Sequence, residues 1–220
     1  EAAGVHGHNG AYWLTERNGF AVELVNDATL ATLDRETVLV VPWCHVVGPA
    51  ALGTIAAFAR GGGTVIVDGP LGLYDDCYRP YTHLPAGALG EELGLSFTEY
   101  RAEDNEVVLG EGKTVAGRGL AADVEMERGE VLYRDSQGRP AVVDIPLGKG
   151  HVTRLLTSLG PTSLSRNPSP DALALWASLL RRASLEPRWR LADRTPGQEA
   201  SLLDVSFRVR GQRELFAFVT

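Results

Sequence analysis

Val38-Leu39-Val40-Val41-Pro42, then Pro49 to Arg60, then Gly61-Gly62-Gly63-Thr64-Val65-Ile66-Val67 decide the fold. Val38 to Val41 is a continuous β-branched and aliphatic run, the composition of a strand covered on both faces. Pro42 is expected to end it. Pro49 suits the first turn of a helix, and Leu52, Ile55, Ala56 and Ala59 fall at i, i+3, i+4 and i+7. The three glycines stop that helix, and Thr64 to Val67 is the next buried strand, closed by Asp68-Gly69-Pro70. Strand, helix, strand with loops of a few residues is the mark of a right-handed crossover in a parallel sheet, so the class is α/β.

Upstream, Tyr12 to Asn18 reads as a short helix closed by Gly19, after a flexible first decade, and Phe20 to Val25 reads as a strand. Downstream, Leu71 to Pro85 reads as loop and Ala86 to Leu93 as a helix stopped by Gly94. Glu130 to Tyr133 and Pro140 to Ile145, joined by Asp135-Ser136-Gln137-Gly138, predict an antiparallel hairpin. Gly148-Lys149-Gly150 turns into a last core strand over 151–157. A helix follows from Pro170, with Ser169 as N-cap, Asp171 in the first turn, Leu173, Trp176, Ala177 and Leu180 on its apolar face, and Arg181-Arg182 at its end. Beyond Pro187 the pattern is β: Trp189 to Leu191, Ser201 to Arg210, a Gly211-Gln212 turn, and Glu214 to Val219.

The 220 residues, 44% hydrophobic and 22% charged, suffice for one sizeable core with a small appendage. No apolar run approaches the roughly 18 to 20 residues of a membrane span. A net charge of −7 argues against nucleic acid or an anionic membrane as partner. The charge is uneven: residues 99–130 carry nine acids against four bases, and 154–190 carry six Arg against Asp171 and Glu186. Two cysteines make no disulfide scaffold, and their scarcity favours the cytoplasm. Neither end has the look of a natural terminus, so the chain is expected to be cut from a longer parent.

Ligands of open parallel sheets sit beyond the carboxyl ends of the strands. That places Trp43, His45, Asp68 and Tyr74 as candidate ligand-binding residues, for a sugar or a small polar molecule. Trp43 and Tyr74 either stack on a sugar or a neighbouring subunit, or simply cover the sheet end. Cys44 or Cys77 with His45 or His83 would make a cysteine-hydrolase pair, but adjacency in sequence fixes no geometry. His6 and His8 lack a third metal ligand, so no metal is expected. Gly61-Gly62-Gly63 follows a helix and precedes a strand, the reverse of a phosphate cradle, and Gly69-Pro70-Leu71-Gly72 lacks a P-loop lysine. No cofactor is expected.

The ordered set Val38 to Pro42, Phe58-Ala59-Arg60-Gly61-Gly62-Gly63-Thr64-Val65-Ile66-Val67, Gly87-Ala88-Leu89, Leu93-Gly94-Leu95, Gly148-Lys149-Gly150-His151-Val152 and Leu173 to Leu185 resembles one family. It is the class I glutamine-amidotransferase-like domain found as the trimerisation domain of family 42 β-galactosidases. The resemblance covers about residues 12 to 187. It implies a flavodoxin-like three-layer sandwich with a parallel core sheet, the antiparallel hairpin as an extension, and 188–220 as the start of a truncated C-terminal β-domain. It also implies a catalytic barrel before Glu1, and one further strand that Glu1 to Gly10 does not supply.

Amidotransferases of this fold carry a cysteine at a sharp turn after a strand, paired with a His-Pro-Glu sequence. Here the turn reads Val67-Asp68-Gly69-Pro70-Leu71, and His-Pro-Glu is absent. The expectation is a non-catalytic scaffold in a larger carbohydrate-active enzyme, self-associating, with a trimer implied by the resemblance. A ligand-binding or regulatory module is the alternative, and a cysteine-dependent hydrolase or amidotransferase stands behind it.

Overall fold

A computed structural model describes residues 2–163, 168–188, 204–210 and 213–219. Helices α1 (Ala2–Arg17) and α2 (Asp27–Leu30) precede strand β1 (Val38–Val46), helix α3 (Pro49–Arg60), strand β2 (Thr64–Tyr74) and helix α4 (Gly87–Leu93). Seven strands follow: β3 (Leu95–Arg101), β4 (Asn105–Gly110), β5 (Lys113–Gly117), β6 (Ala121–Met126), β7 (Glu130–Asp135), β8 (Pro140–Leu147) and β9 (Gly150–Leu155). Helix α5 (Pro170–Arg182) and strands β10 (Asp204–Arg210) and β11 (Arg213–Val219) complete the order. Among the described residues no helix is long and apolar enough to cross a membrane.

The main sheet runs β1-β2-β9-β8-β7-β4-β5. Its parallel core is β1, β2 and β9, and every pairing from β9 outward to β5 is antiparallel. The predicted hairpin is β7–β8, which carries the core sheet onward. Strands β3 and β6 form a separate antiparallel ribbon, and β10 pairs with β11 antiparallel.

Period-two alternation sends side chains to two cores. Leu39, Val41, Val65, Val67, Val143 and Ile145 join Leu52, Ile55, Phe58, Leu89 and Leu93 of α3 and α4. Ile66, Val142 and Leu155 join Leu14 of α1 and Leu175, Trp176 and Leu179 of α5 on the other face. Helix α5 begins as its sequence predicts: Pro170 occupies the first turn and Ser169 Oγ accepts from the N–H of Ala172 at 3.1 Å. Gly94 ends α4 in the left-handed region at φ 60°, the conformation that glycine adopts without strain.

Four expectations are corrected. Helix α1 begins at Ala2 rather than Tyr12, because its glycines serve packing: a Cβ on Gly7 would lie 2.6 Å from Trp43 Cβ, and one on Gly10 would lie 1.9 Å from the Gly160 carbonyl oxygen. Residues 20–25 form no strand. Phe20 packs in one core and Leu30 in the other, and the exposed residues between them carry the chain from one face of the sheet to the other. Pro42 does not end β1, because β1 lies at the sheet margin, where a missing N–H forfeits no ladder bond. Strand β2 continues past Asp68 to Tyr74, taking four residues from the predicted loop. The strand expected over 189–191 and the turn at 211–212 lie outside the described residues.

Candidate functional site

The parallel strands deliver Trp43, His45 and Asp68 to their carboxyl ends. The ladder between β1 and β2 slips between Pro42 and Cys44, and Trp43 takes φ 43°, rare for a bulky residue. Its indole is buried against two further glycines. A Cβ on Gly69 would lie 3.1 Å from Trp43 Cε3, and one on Gly119 would lie 2.2 Å from Cη2. Trp43 therefore plugs the sheet end instead of lining an open crevice. The His45 ring is 5.5 Å from the indole, centroid to centroid, and its Nε2 is buried without a partner. Burial holds the imidazole pKa below its ordinary value.

Asp68 is fully buried. Its Oδ1 accepts the N–H of Leu159 at 2.8 Å, while Oδ2 accepts the N–H of Gly160 at 2.8 Å and the Ser158 hydroxyl at 3.1 Å. Burial pushes the carboxyl up to about 6, against the downward pull of these three donors. This is a carboxylate used to hold the segment after β9 onto β2. Tyr74 stands apart, further along β2, 40% exposed and paired in register with Val46.

Neither thiol is prepared for nucleophilic attack. The imidazole near Cys44 is that of His8, with Nε2 4.0 Å from Sγ, rather than that of His45 or His83. Burial pushes the Cys44 thiol up to about 11. Cys77 is exposed on the turn after β2, and the carboxylates of Asp76 and Asp75 raise its pKa. A nucleophilic cysteine needs the opposite shift. The turn Val67 to Leu71, where amidotransferases place their cysteine, lies within β2 and carries no nucleophile. Asp75, Asp76 and Cys77 offer ligand atoms within 4.8 Å of one another, but Asp75 Oδ1 already accepts the N–H groups of Cys77 and Arg79.

Two polar arrangements escape a reading by sequence. At the opposite end of the parallel strands, Thr64 Oγ1 is 2.9 Å from His151 Nε2, and His151 Nδ1 is 2.9 Å from Asp144 Oδ1. Asp144 also accepts the Thr153 hydroxyl at 2.5 Å and Arg182 at 3.2 Å. Burial alone would raise the Asp144 pKa, but the bonds from His151, Thr153 and Arg182 outweigh it and hold the carboxyl at about 2. Hydroxyl, imidazole and carboxylate stand in triad order. Thr64 is largely buried, and the group ties β2, β9, β8 and α5 together as a clamp. The second arrangement surrounds Arg154. The signal for both was polar residues inside apolar strands, Asp144 between Val143 and Ile145 and Arg154 before Leu155.

Residues 12–184 match the family described as the β-galactosidase trimerisation domain. No curated protein matches. A catalytic mutant of a GH42 β-galactosidase from G. stearothermophilus superposes with a TM-score of 0.76 at 16% identity, over 95% of this chain and 29% of that one. The β-galactosidase of Bacillus circulans sp. alkalophilus gives 0.71 at 18%, over 95% and 30%. A cytoplasmic protein from Salmonella typhimurium gives 0.54 at 15%, over 80% and 86%. At these identities the likeness is one of fold. The chain spans less than a third of the length of either β-galactosidase.

Proposed function

Because the chain belongs to the β-galactosidase trimerisation domain family, we propose that it is a non-catalytic scaffold through which a larger carbohydrate-active enzyme self-associates, as a trimer. The observation that carries this reading is the family match across 173 consecutive residues, 12 through 184. No cysteine stands between Val67 and Leu71, and both thiols have pKa values raised by their surroundings, which favours a fold used without its chemistry. Val22, Leu24 and Val25 supply an apolar surface for a second copy, at 39%, 90% and 36% exposure. Burying such side chains between copies is the main drive for association.

Within this reading the fold is flavodoxin-like, of the amidotransferase-like class, with 1–187 as one domain and 188–220 as the start of a β-domain. The catalytic groups, the carbohydrate substrate and a cytoplasmic location belong to the parent, where free thiols are at home. Sedimentation of the full-length parent tests the proposal: an oligomer that dissociates when 12–184 is deleted supports it, and an unchanged mass opposes it.

One observation favours a second reading. The unpartnered Nε2 of His45, whose ring lies 5.5 Å from that of Trp43, is a group that a small polar ligand could engage. Titration with galactosides tests it through Trp43 fluorescence, with saturable quenching in favour and flat traces against.

A further inference from the structure

Most of the large apolar side chains exposed among the described residues fall in two groups. One is Val22, Leu24 and Val25. The other is Val46 and Tyr74, paired in register between β1 and β2, with Tyr78 just beyond, at 38%, 40% and 75% exposure. Tyr12 and Val108 stand outside both, Tyr12 edge-on to Trp13 and Val108 between Thr114 and Arg134 in the sheet. The turn that carries Tyr78 is firmly built. Asp75 Oδ1 accepts the N–H groups of Cys77 and Arg79 at 2.9 and 2.8 Å, the Asp75 N–H donates to the Arg79 carbonyl at 2.9 Å, and Tyr74 bridges to Pro80.

A patch that meets its own copy makes a two-fold contact and closes at a dimer, so a ring of three needs two different surfaces on each chain. Resting on the trimer reading above, we propose that the Val22–Val25 segment of one copy docks head to tail on the Val46, Tyr74 and Tyr78 face of a second copy. The charges are complementary. Glu23 lies between Val22 and Leu24, Arg79 follows Tyr78, and among the described residues neither side chain has a partner. The acids of the turn are already engaged, Asp75 by the two N–H groups and Asp76 by the Cys77 thiol. The contact therefore joins one free carboxylate to one free guanidinium while Leu24, 90% exposed, and the Tyr78 ring leave water. Tyr and Arg are the side chains that most often anchor interfaces, and a turn already fixed loses little freedom on docking.

The test is a charge swap followed by sedimentation equilibrium of the full-length protein. Glu23→Arg and Arg79→Glu are each expected to move dissociation to roughly tenfold higher protein concentration, and the double variant to restore the wild-type value. Tyr78→Ala is expected to weaken the oligomer by a similar factor. A wild-type trimer that keeps its mass in both single reversals overturns this contact and leaves the trimer reading standing, whereas a wild-type monomer overturns both. A double variant no tighter than the single ones also overturns it. Cys77, exposed beside Tyr78, gives a readout that needs no substitution. A thiol reagent is expected to label it more slowly in the concentrated wild-type oligomer than after dilution to monomer, and equal rates overturn the proposal.

Discussion

Ser158 Oγ donates to Asp68 Oδ2 at 3.1 Å across 90 positions of sequence. With the N–H groups of Leu159 and Gly160, it closes a ring of donors around one buried carboxylate. Asp68 replaces the turn that would otherwise have to anchor this segment. Removing it strands two buried N–H groups, so Asp68→Ala lowers unfolding stability at pH 7 by roughly 2 kcal/mol or more. Urea denaturation measures it.

The same residue carries a pH signature. Its folded pKa, about 6, lies above the ordinary 3.8, so the folded state holds the proton more tightly. The contribution is fully present below about pH 4 and is lost as pH rises through 6. Relative to Asp68→Asn, the wild type gains stability between pH 6.5 and 4.

Asp144 has the opposite sign. Its folded pKa, about 2, lies below 3.8, so its contribution is present above pH 4 and lost as pH falls toward 2. The shift corresponds to roughly 2 kcal/mol. Denaturation at pH 5 and pH 2.5 will show a smaller loss in Asp144→Asn than in the wild type.

Gly119→Ala places a methyl group where Trp43 Cη2 lies 2.2 Å away, at a residue with φ 91°. The indole must leave its cradle, and a loss of roughly 2 to 4 kcal/mol follows. Melting followed by Trp fluorescence will show a lower Tm and a red-shifted native spectrum.

The thiols differ in reach. Cys77 is exposed and Cys44 half-buried with its proton held to about pH 11. A thiol reagent at pH 8 will label Cys77 first, and Cys77→Ser will leave one slow site.

The sequence makes β1, α3, the start of β2, α4, the β7–β8 hairpin and α5 legible because periodicity, proline and capping agree there. It misleads at residues 2–11, where glycine signals looseness yet serves close contact with Trp43 and Gly160. Phe20 to Val25 has a strand's alternation but no neighbouring strand to pair with, and β3 through β6 are too short and too polar to announce themselves. At the candidate site, the strand pattern puts Trp43 and Asp68 toward the carboxyl ends of the parallel strands. What the residue types could not reveal was that both are turned inward.

The most direct measurement is the sedimentation-equilibrium mass of the full-length protein, wild type and Leu24→Glu, across micromolar concentrations. The account predicts a trimer for the wild type and dissociation toward monomer when a charge enters the exposed Val22–Val25 surface. A wild-type mass equal to one chain at all concentrations would contradict it.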